Sequence, residues 1–440
     1  MSRMNPVEIE RQLETLKESL ANWASPRLKL LTICDFVAEF QHSMSLLQSY
    51  LIEFIDGLAG LLKTSSLVGI DPARLLPLVD GLEYVQANLP SSFESTAISE
   101  VITILREQIA SLYLSVGEID AAALSLQAQW QKIPADFCRH DAQQDVPAME
   151  STIHERILRI DSQYDEIKGK LHNLAKHTPQ SPGLNAVCSY FPVIERPAGH
   201  PTDMAEEGAL RRICISILGF ANGDEDELIF EFQAVQNGDD ARKQFSEPLA
   251  AARVLLAKNF PRLRNRYFIF RITLDNPSYL HDGNSASLAS AALFYTAILN
   301  FVNLHISYSI PANVAMSGGI GPDGCILPVS EATLDKKIAA GFFSPVRYLA
   351  IPESQKAKSE RLLERYKDIY PQKDFSIVAC ERLDDVFYDR RLTQDRRVSA
   401  PVYLARQAWR HRSPIGITAI FALLLTILAF MLYGPLDKNP

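Results

Sequence analysis

The hydrophobic pattern of the 440-residue chain changes character twice. From Pro6 to about His177 apolar residues recur at helical spacing. Ile9, Leu13, Leu16, Leu20 and Trp23 fall at alternating steps of four and three, one stripe on a helix. A second helix, spanning about 27–62, is more apolar through Leu46, Leu47, Leu51, Ile52, Phe54, Ile55 and Leu58. Glu53 and Asp56 interrupt that run and argue for a buried core helix over a bilayer span. Further amphipathic pieces cover about 72–88, 94–114 and 117–131, separated by turn-formers such as Pro90-Ser91-Ser92. Ile153, Ile157, Ile160, Tyr164, Ile167, Leu171 and Leu174 continue the four-and-three spacing over about three heptads, which predicts a coiled coil. Its seam needs cover, either from the Ile9–Trp23 stripe or from a second subunit or partner protein.

Beyond this helical domain (1–177), Pro179, Pro182, Pro192, Pro197 and Pro201 stand among polar residues, a linker signature over 178–205. The pattern then turns mixed over 206–393. Strand candidates at 212–220 and 227–235 precede a helix at about 246–258, and the alternating run Tyr267–Leu274 predicts another strand. A helix at 353–367 and a strand at 375–380 follow. The last apolar stretch, 415–433, has no charged residue. Nineteen helical residues rise about 28 Å, close to the roughly 30 Å hydrocarbon layer, so a single C-terminal transmembrane helix is expected. Arg390, Arg391, Arg396, Arg397, Arg406, Arg410 and Arg412 crowd its N-terminal side, a basic juxtamembrane segment over 394–414 that orients the body of the chain toward the cytoplasm. The expected localisation is a single-pass, C-terminally anchored membrane protein with the lipid bilayer as one partner.

The chemistry centres on Asp282-Gly283-Asn284-Ser285-Ala286-Ser287. A polar turn gives way after Ser285 to small apolar residues that predict a buried helix through Phe301. A serine in the first turn of a helix sits where backbone N–H groups lack intrahelical acceptors. Such a serine serves either as a nucleophile whose oxyanion those amides hold or simply as a helix cap, and the segment alone leaves both readings open.

Downstream come Asn313-Val314-Ala315-Met316-Ser317-Gly318-Gly319, Gly324-Cys325-Ile326-Leu327-Pro328-Val329, Asp335-Lys336-Lys337-Ile338-Ala339-Ala340-Gly341 and Val346-Arg347-Tyr348-Leu349-Ala350-Ile351-Pro352. With the serine loop, this order of segments resembles the proteolytic domain of the Lon proteases over about 206–393. The resemblance implies an α+β domain in which Ser285 is the nucleophile and Lys336 its dyad lysine. It also matches Ser317 to a threonine near the lysine, Asp282 to the acidic residue before the serine loop, and Gly318 to a turn whose amides hold the oxyanion. Asn284, Ser287 and Gly319 depart from the family's proline, glycine and glutamate. One extra residue must be accommodated before Lys336, so Lys337 competes for the same role.

Composition narrows the rest. A net charge of −8 gives no reason to expect a nucleic-acid partner. The six cysteines are dispersed without a Cys-x-x-Cys pair and read as reduced thiols. The nine histidines form no His-Glu-x-x-His arrangement, so no metal or other cofactor is expected. No Gly-x-x-x-x-Gly-Lys-Ser/Thr segment occurs, which excludes ATP binding by a P-loop. The expectation is therefore a multidomain chain: an α-helical N-terminal domain, an α+β Lon-like proteolytic domain and a single C-terminal transmembrane helix. Its function would be an ATP-independent Ser-Lys endopeptidase acting on polypeptide, or alternatively a catalytically inactive membrane-bound adaptor that keeps the fold.

Overall fold

A computed structural model describes residues 6–22, 25–41, 44–89, 96–126, 157, 165–175, 186–195, 206–231, 238–275, 284–302, 305–400, 403, 422, 424–426 and 428. The N-terminal part contains α1 (Pro6–Asn22), α2 (Pro26–Glu39), α3 (Met44–Thr64), α4 (Leu76–Asn88), α5 (Thr96–Ser115), α6 (Ile119–Leu126) and α7 (Asp165–Ala175). The helix expected over 27–62 is two helices, because α2 ends at Phe40, whose N–H returns to the Phe36 carbonyl. Ser25 caps α2 by accepting from the Leu28 N–H, with Pro26 at the first helical position. The stripe Leu51, Ile55, Leu58 and Leu62 of α3 is buried with Leu13 and Leu16 of α1, Leu30 and Val37 of α2, Leu82 of α4 and Leu105 of α5. The 27–62 region is thus core, as its two acids indicated. Of the expected coiled coil, Ile157 and Leu171 are buried against α5 and α6; much of the remainder lies outside the described residues.

The second part is built on a seven-stranded sheet. Its elements in chain order are β1 (Ala186–Glu195), β2 (Glu207–Phe220), β3 (Glu227–Phe230), α8 (Gly238–Asn259), β4 (Phe268–Leu274), α9 (Ser287–Val302), β5 (Ile306–Ser309), β6 (Val314–Met316), β7 (Gly319–Ile320), β8 (Ile326–Leu327), α10 (Leu334–Phe342), β9 (Tyr348–Pro352), α11 (Lys356–Ile369), β10 (Ser376–Cys380), α12 (Leu383–Tyr388) and β11 (Gln394–Arg397). The strand order is β10-β9-β6-β1-β2-β4-β3. Antiparallel β1–β2 and β2–β4 pairs are flanked by parallel pairs on both sides.

Alternation along the strands gives the sheet two apolar faces. Val193, Ile215, Phe270, Val314, Met316 and Ala350 share one core with α8 and α9. Leu210, Ala315, Leu349 and Ile351 share another with α10 and α11. The serine helix α9 and the lysine helix α10 therefore cover opposite sides of the same sheet.

Several expectations are corrected here. The segment 178–205 is not wholly linker: its middle is β1, paired residue for residue with β2 from Ala186↔Ser216 to Glu195↔Glu207. Pro192 stands opposite Leu210 of β2, and because β6 meets β1 only at Tyr190↔Ala315 it has no paired residue on the other side. Cys188 and Cys214 are not reduced thiols. They stand opposite one another across β1–β2 and are joined as a disulfide. The multidomain class with a single transmembrane helix gives way to a mixed helix-and-sheet fold. Among the described residues no helix is long and apolar enough to cross a membrane, which overturns the single-pass, C-terminally anchored localisation. Most of 415–433 lies outside the described residues; Ala422, Leu424, Leu425, Thr426 and Leu428 are helical.

The helical part meets the α10 face of the sheet through a buried amine. Lys373 is 7% exposed, and its Nζ donates to the Ser115 carbonyl at the end of α5 (2.7 Å) and to the Ser344 carbonyl just past α10 (2.5 Å). Burial, with Arg347 adding repulsion, lowers its pKa to about 7. Between that value and the unfolded value of about 10.4, the unfolded chain binds the extra proton, so stability rises with pH across this window. Urea titrations should show a component of about 1.4 kcal/mol per pH unit above pH 7 that vanishes in Lys373→Met; an unchanged pH slope in the variant would contradict the buried placement.

Candidate active site

Two helix beginnings on opposite sheet faces come together at the end of β6. Ser285 lies in a 3-10 turn (Asn284–Ala286) that runs into α9, and Lys337 lies in the first turn of α10 after the 3-10 turn Glu331–Thr333. The chain leaving β6 is bonded to β9 and to the serine helix. Ser317 N–H donates to the Ala350 carbonyl of β9 (2.8 Å), and the Gly318 carbonyl accepts from the Leu288 N–H of α9 (3.1 Å). Gly318 is confined there: a Cβ at 318 would stand 3.1 Å from Ile326 Cγ2.

The central contact is Lys337 Nζ to Ser285 Oγ, 2.6 Å. Helix geometry explains why Lys337 and not Lys336 makes it. Leu334, Lys337, Ile338, Gly341 and Phe342 are buried in α10, at the i, i+3, i+4, i+7, i+8 spacing of one helix face. Lys337 is the one cation on that stripe and is 4% exposed. Lys336, one step of about 100° around the axis, points to the rim and pairs with Glu206 at 3.4 Å. The assignment of Lys336 as the dyad lysine is corrected accordingly, and the competing Lys337 takes its place in the geometry.

Burial lowers the Lys337 pKa to about 8. At about pH 7.4 such an amine is neutral in roughly one molecule in five, against roughly one in a thousand for an ordinary lysine. As an ammonium it donates to Ser285 Oγ; as a neutral amine it offers the lone pair that accepts the serine O–H. The arrangement is therefore that of a nucleophile beside a base with an accessible neutral state.

The remaining expected residues are placed as follows. Ser317 is buried at the end of β6, 1% exposed, and its hydroxyl bonds neither Ser285 nor Lys337. The Gly318 N–H, expected to face an oxyanion, is directed at the Ser285 carbonyl at 3.4 Å. That long contact is weak and keeps the amide beside Ser285. Asp282 lies outside the described residues. Thr333 occupies the cap position of α10, but its hydroxyl donates back to the Ser330 carbonyl (3.1 Å) and makes no cap bond. Gln355, passed over in the sequence, clamps the segment that leads to α10: its amide donates to the Val329 carbonyl (2.8 Å) and accepts from the Val329 N–H (3.1 Å). A polar residue three places after the Ile351-Pro352 strand end carried no distinctive signal. Among the described residues no group of histidine, cysteine or acidic side chains is arranged to hold a metal.

No protein-family model matches the chain, and no curated protein matches it. The Lon-like reading therefore rests on the order of sequence segments and on the Ser285–Lys337 geometry.

An NMR titration of lysine Nζ groups should contain a signal with a midpoint near pH 8 that disappears in Lys337→Met and persists in Lys336→Met. Loss of that signal in Lys336→Met instead would reverse the assignment.

Proposed function

We propose that this protein is a Lon-like serine endopeptidase acting by a Ser-Lys dyad, with Ser285 as nucleophile and Lys337 as general base. The observation that carries the proposal is the 2.6 Å contact between a half-buried serine hydroxyl and a buried lysine amine. In the first step the neutral Lys337 amine takes the Ser285 proton while Oγ attacks a peptide carbonyl. The tetrahedral oxygen is held by amides at the start of α9, aided by Gly318 once its N–H turns from the Ser285 carbonyl. The ammonium so formed then protonates the leaving amine. This yields an acyl-serine, and water attacks it with Lys337 again acting as base.

The substrate is polypeptide in an unfolded or presented form. The chain carries no P-loop that would drive unfolding with ATP. The N-terminal helices then serve to recognise a partner or to set the state of the site.

A second reading is a binding protein that keeps the fold without turnover. One observation favours it: the Gly318 N–H is engaged by the Ser285 carbonyl and is not open to a substrate oxygen.

The two readings part in one experiment. The purified chain should be labelled at Ser285 by a fluorophosphonate probe at pH 8, with Ser285→Ala unlabelled. Lys337→Ala should fall by at least about a hundredfold, the size expected for loss of a general base. Lys336→Ala should label at close to the parent rate. A parent chain that is neither labelled nor active on a broad peptide library would establish the binding reading.

A further inference from the structure

The lysine helix α10 is nine residues long, too short to be stable alone, so its position depends on what holds its ends. At its start, Arg27 of α2 is 3% exposed, and its Nη2 donates to the Gly208 carbonyl of β2 (2.7 Å). Nη1 of the same side chain donates to Glu195 Oε2 (3.3 Å), and Glu195 is itself 2% exposed and paired with Arg211. Gly208 in turn lies flat against the carbonyl of Lys336, where any Cβ would collide with that oxygen. That carbonyl belongs to the peptide group joining Lys336 to Lys337.

At the other end of α10, Phe343 closes the helix, and its carbonyl accepts the Gly69 N–H at 2.8 Å. Gly69 follows α3 and has φ +87°; a Cβ at 69 would stand 2.9 Å from the Ala340 carbonyl oxygen. Both conditions require glycine. Nearby, Asp71 accepts from the Tyr370 hydroxyl (2.6 Å), and Lys373 ties Ser115 to Ser344. The helical part of the chain thus grips the backbone of α10 at both ends, through groups that also fix its own loops.

We propose that Arg27 and Gly69 are positioning residues for the dyad, so that the N-terminal helical part is a built-in activator that sets Lys337 against Ser285. The inference rests on the Ser-Lys reading of the site. Arg27 acts through Gly208 on the peptide just before Lys337, and Gly69 acts through the Ala340–Phe343 turn. Loosening either grip lets α10 shift, admits water to the amine and lengthens its contact with Ser285. A ligand of the helical part that displaces the Gly69 loop would switch the site in the same way.

The test compares Gly69→Ala and Arg27→Lys with a control in the full chain. The control is Arg106→Ala, which removes an ion pair with Glu83 of α4 and a bond to the Ser125 carbonyl of α6. Two quantities are read: the Lys337 Nζ titration midpoint by NMR, and the rate of fluorophosphonate labelling as a function of pH. Either positioning variant should raise the midpoint by about one pH unit or more toward the ordinary lysine value and slow labelling at neutral pH at least tenfold. Arg106→Ala, at comparable loss of thermal stability, should leave both unchanged. Should Gly69→Ala fail to fold, Arg27→Lys, which keeps the charge, carries the comparison. Folded variants with the parent midpoint and rate would overturn the inference. The titration needs no turnover, so an unlabelled parent chain whose midpoint still moves in Gly69→Ala refutes the peptidase reading and leaves the positioning role standing.

Discussion

Placing an amine on the apolar stripe of a short helix is the constraint from which the site follows. A lysine at that position either neutralises or finds a polar partner, because a charged amine away from water is costly. In α10 the partner is the Ser285 hydroxyl at 2.6 Å, and burial lowers the amine's pKa to about 8. The same burial that weakens Lys337 as a cation makes it a base. Nothing in the side chain itself distinguishes it from Lys336, which sits one residue away and is half in solvent beside Glu206.

That arrangement is possible because the sheet has two dry faces. β6 is three residues long, and its alternate side chains enter different cores: Val314 and Met316 on one side, Ala315 on the other. Where β6 ends, Ser317 and Gly318 carry the chain between the serine helix and the lysine helix. The backbone bond of Ser317 to Ala350 ties the strand end to β9, and that of Gly318 to Leu288 ties it to the beginning of the serine helix. A short central strand is thus enough to bring together two groups far apart in sequence.

Much of this was legible in the residues, and the failures have physical causes. Ser285 stood out because a polar Asp-Gly turn is followed by Leu288, Ala289, Ala291 and Ala292, small enough to bury completely. Segment order points to Lys336, whereas the helical period of Leu334, Ile338 and Phe342 marks the stripe on which Lys337 falls. β1 was hidden by Pro192 and its proline-rich surroundings, since a strand whose second neighbour is short can carry a proline that a fully paired strand cannot. The Cys188–Cys214 pair is invisible without register, because the two residues are 26 apart and become neighbours only when β1 and β2 align. The grip of the helices on α10 was unreadable for another reason. Arg27 and Lys373 reach backbone carbonyls, and the close approaches are at Gly69 and Gly208, so the partners leave no pattern of charge or hydrophobicity.

The disulfide gives the hairpin a property that its hydrogen bonds alone would not. Cys188 and Cys214 close a covalent ring around residues 189–213, which includes the connection between β1 and β2. A nick by an outside enzyme within 196–205 would cut the main chain and still leave one molecule, with its fragments bridged by sulfur and by a ten-residue ladder. Under oxidising conditions the helices before that point and the serine and lysine after it would stay in register; under reducing conditions the ladder alone would have to keep them together.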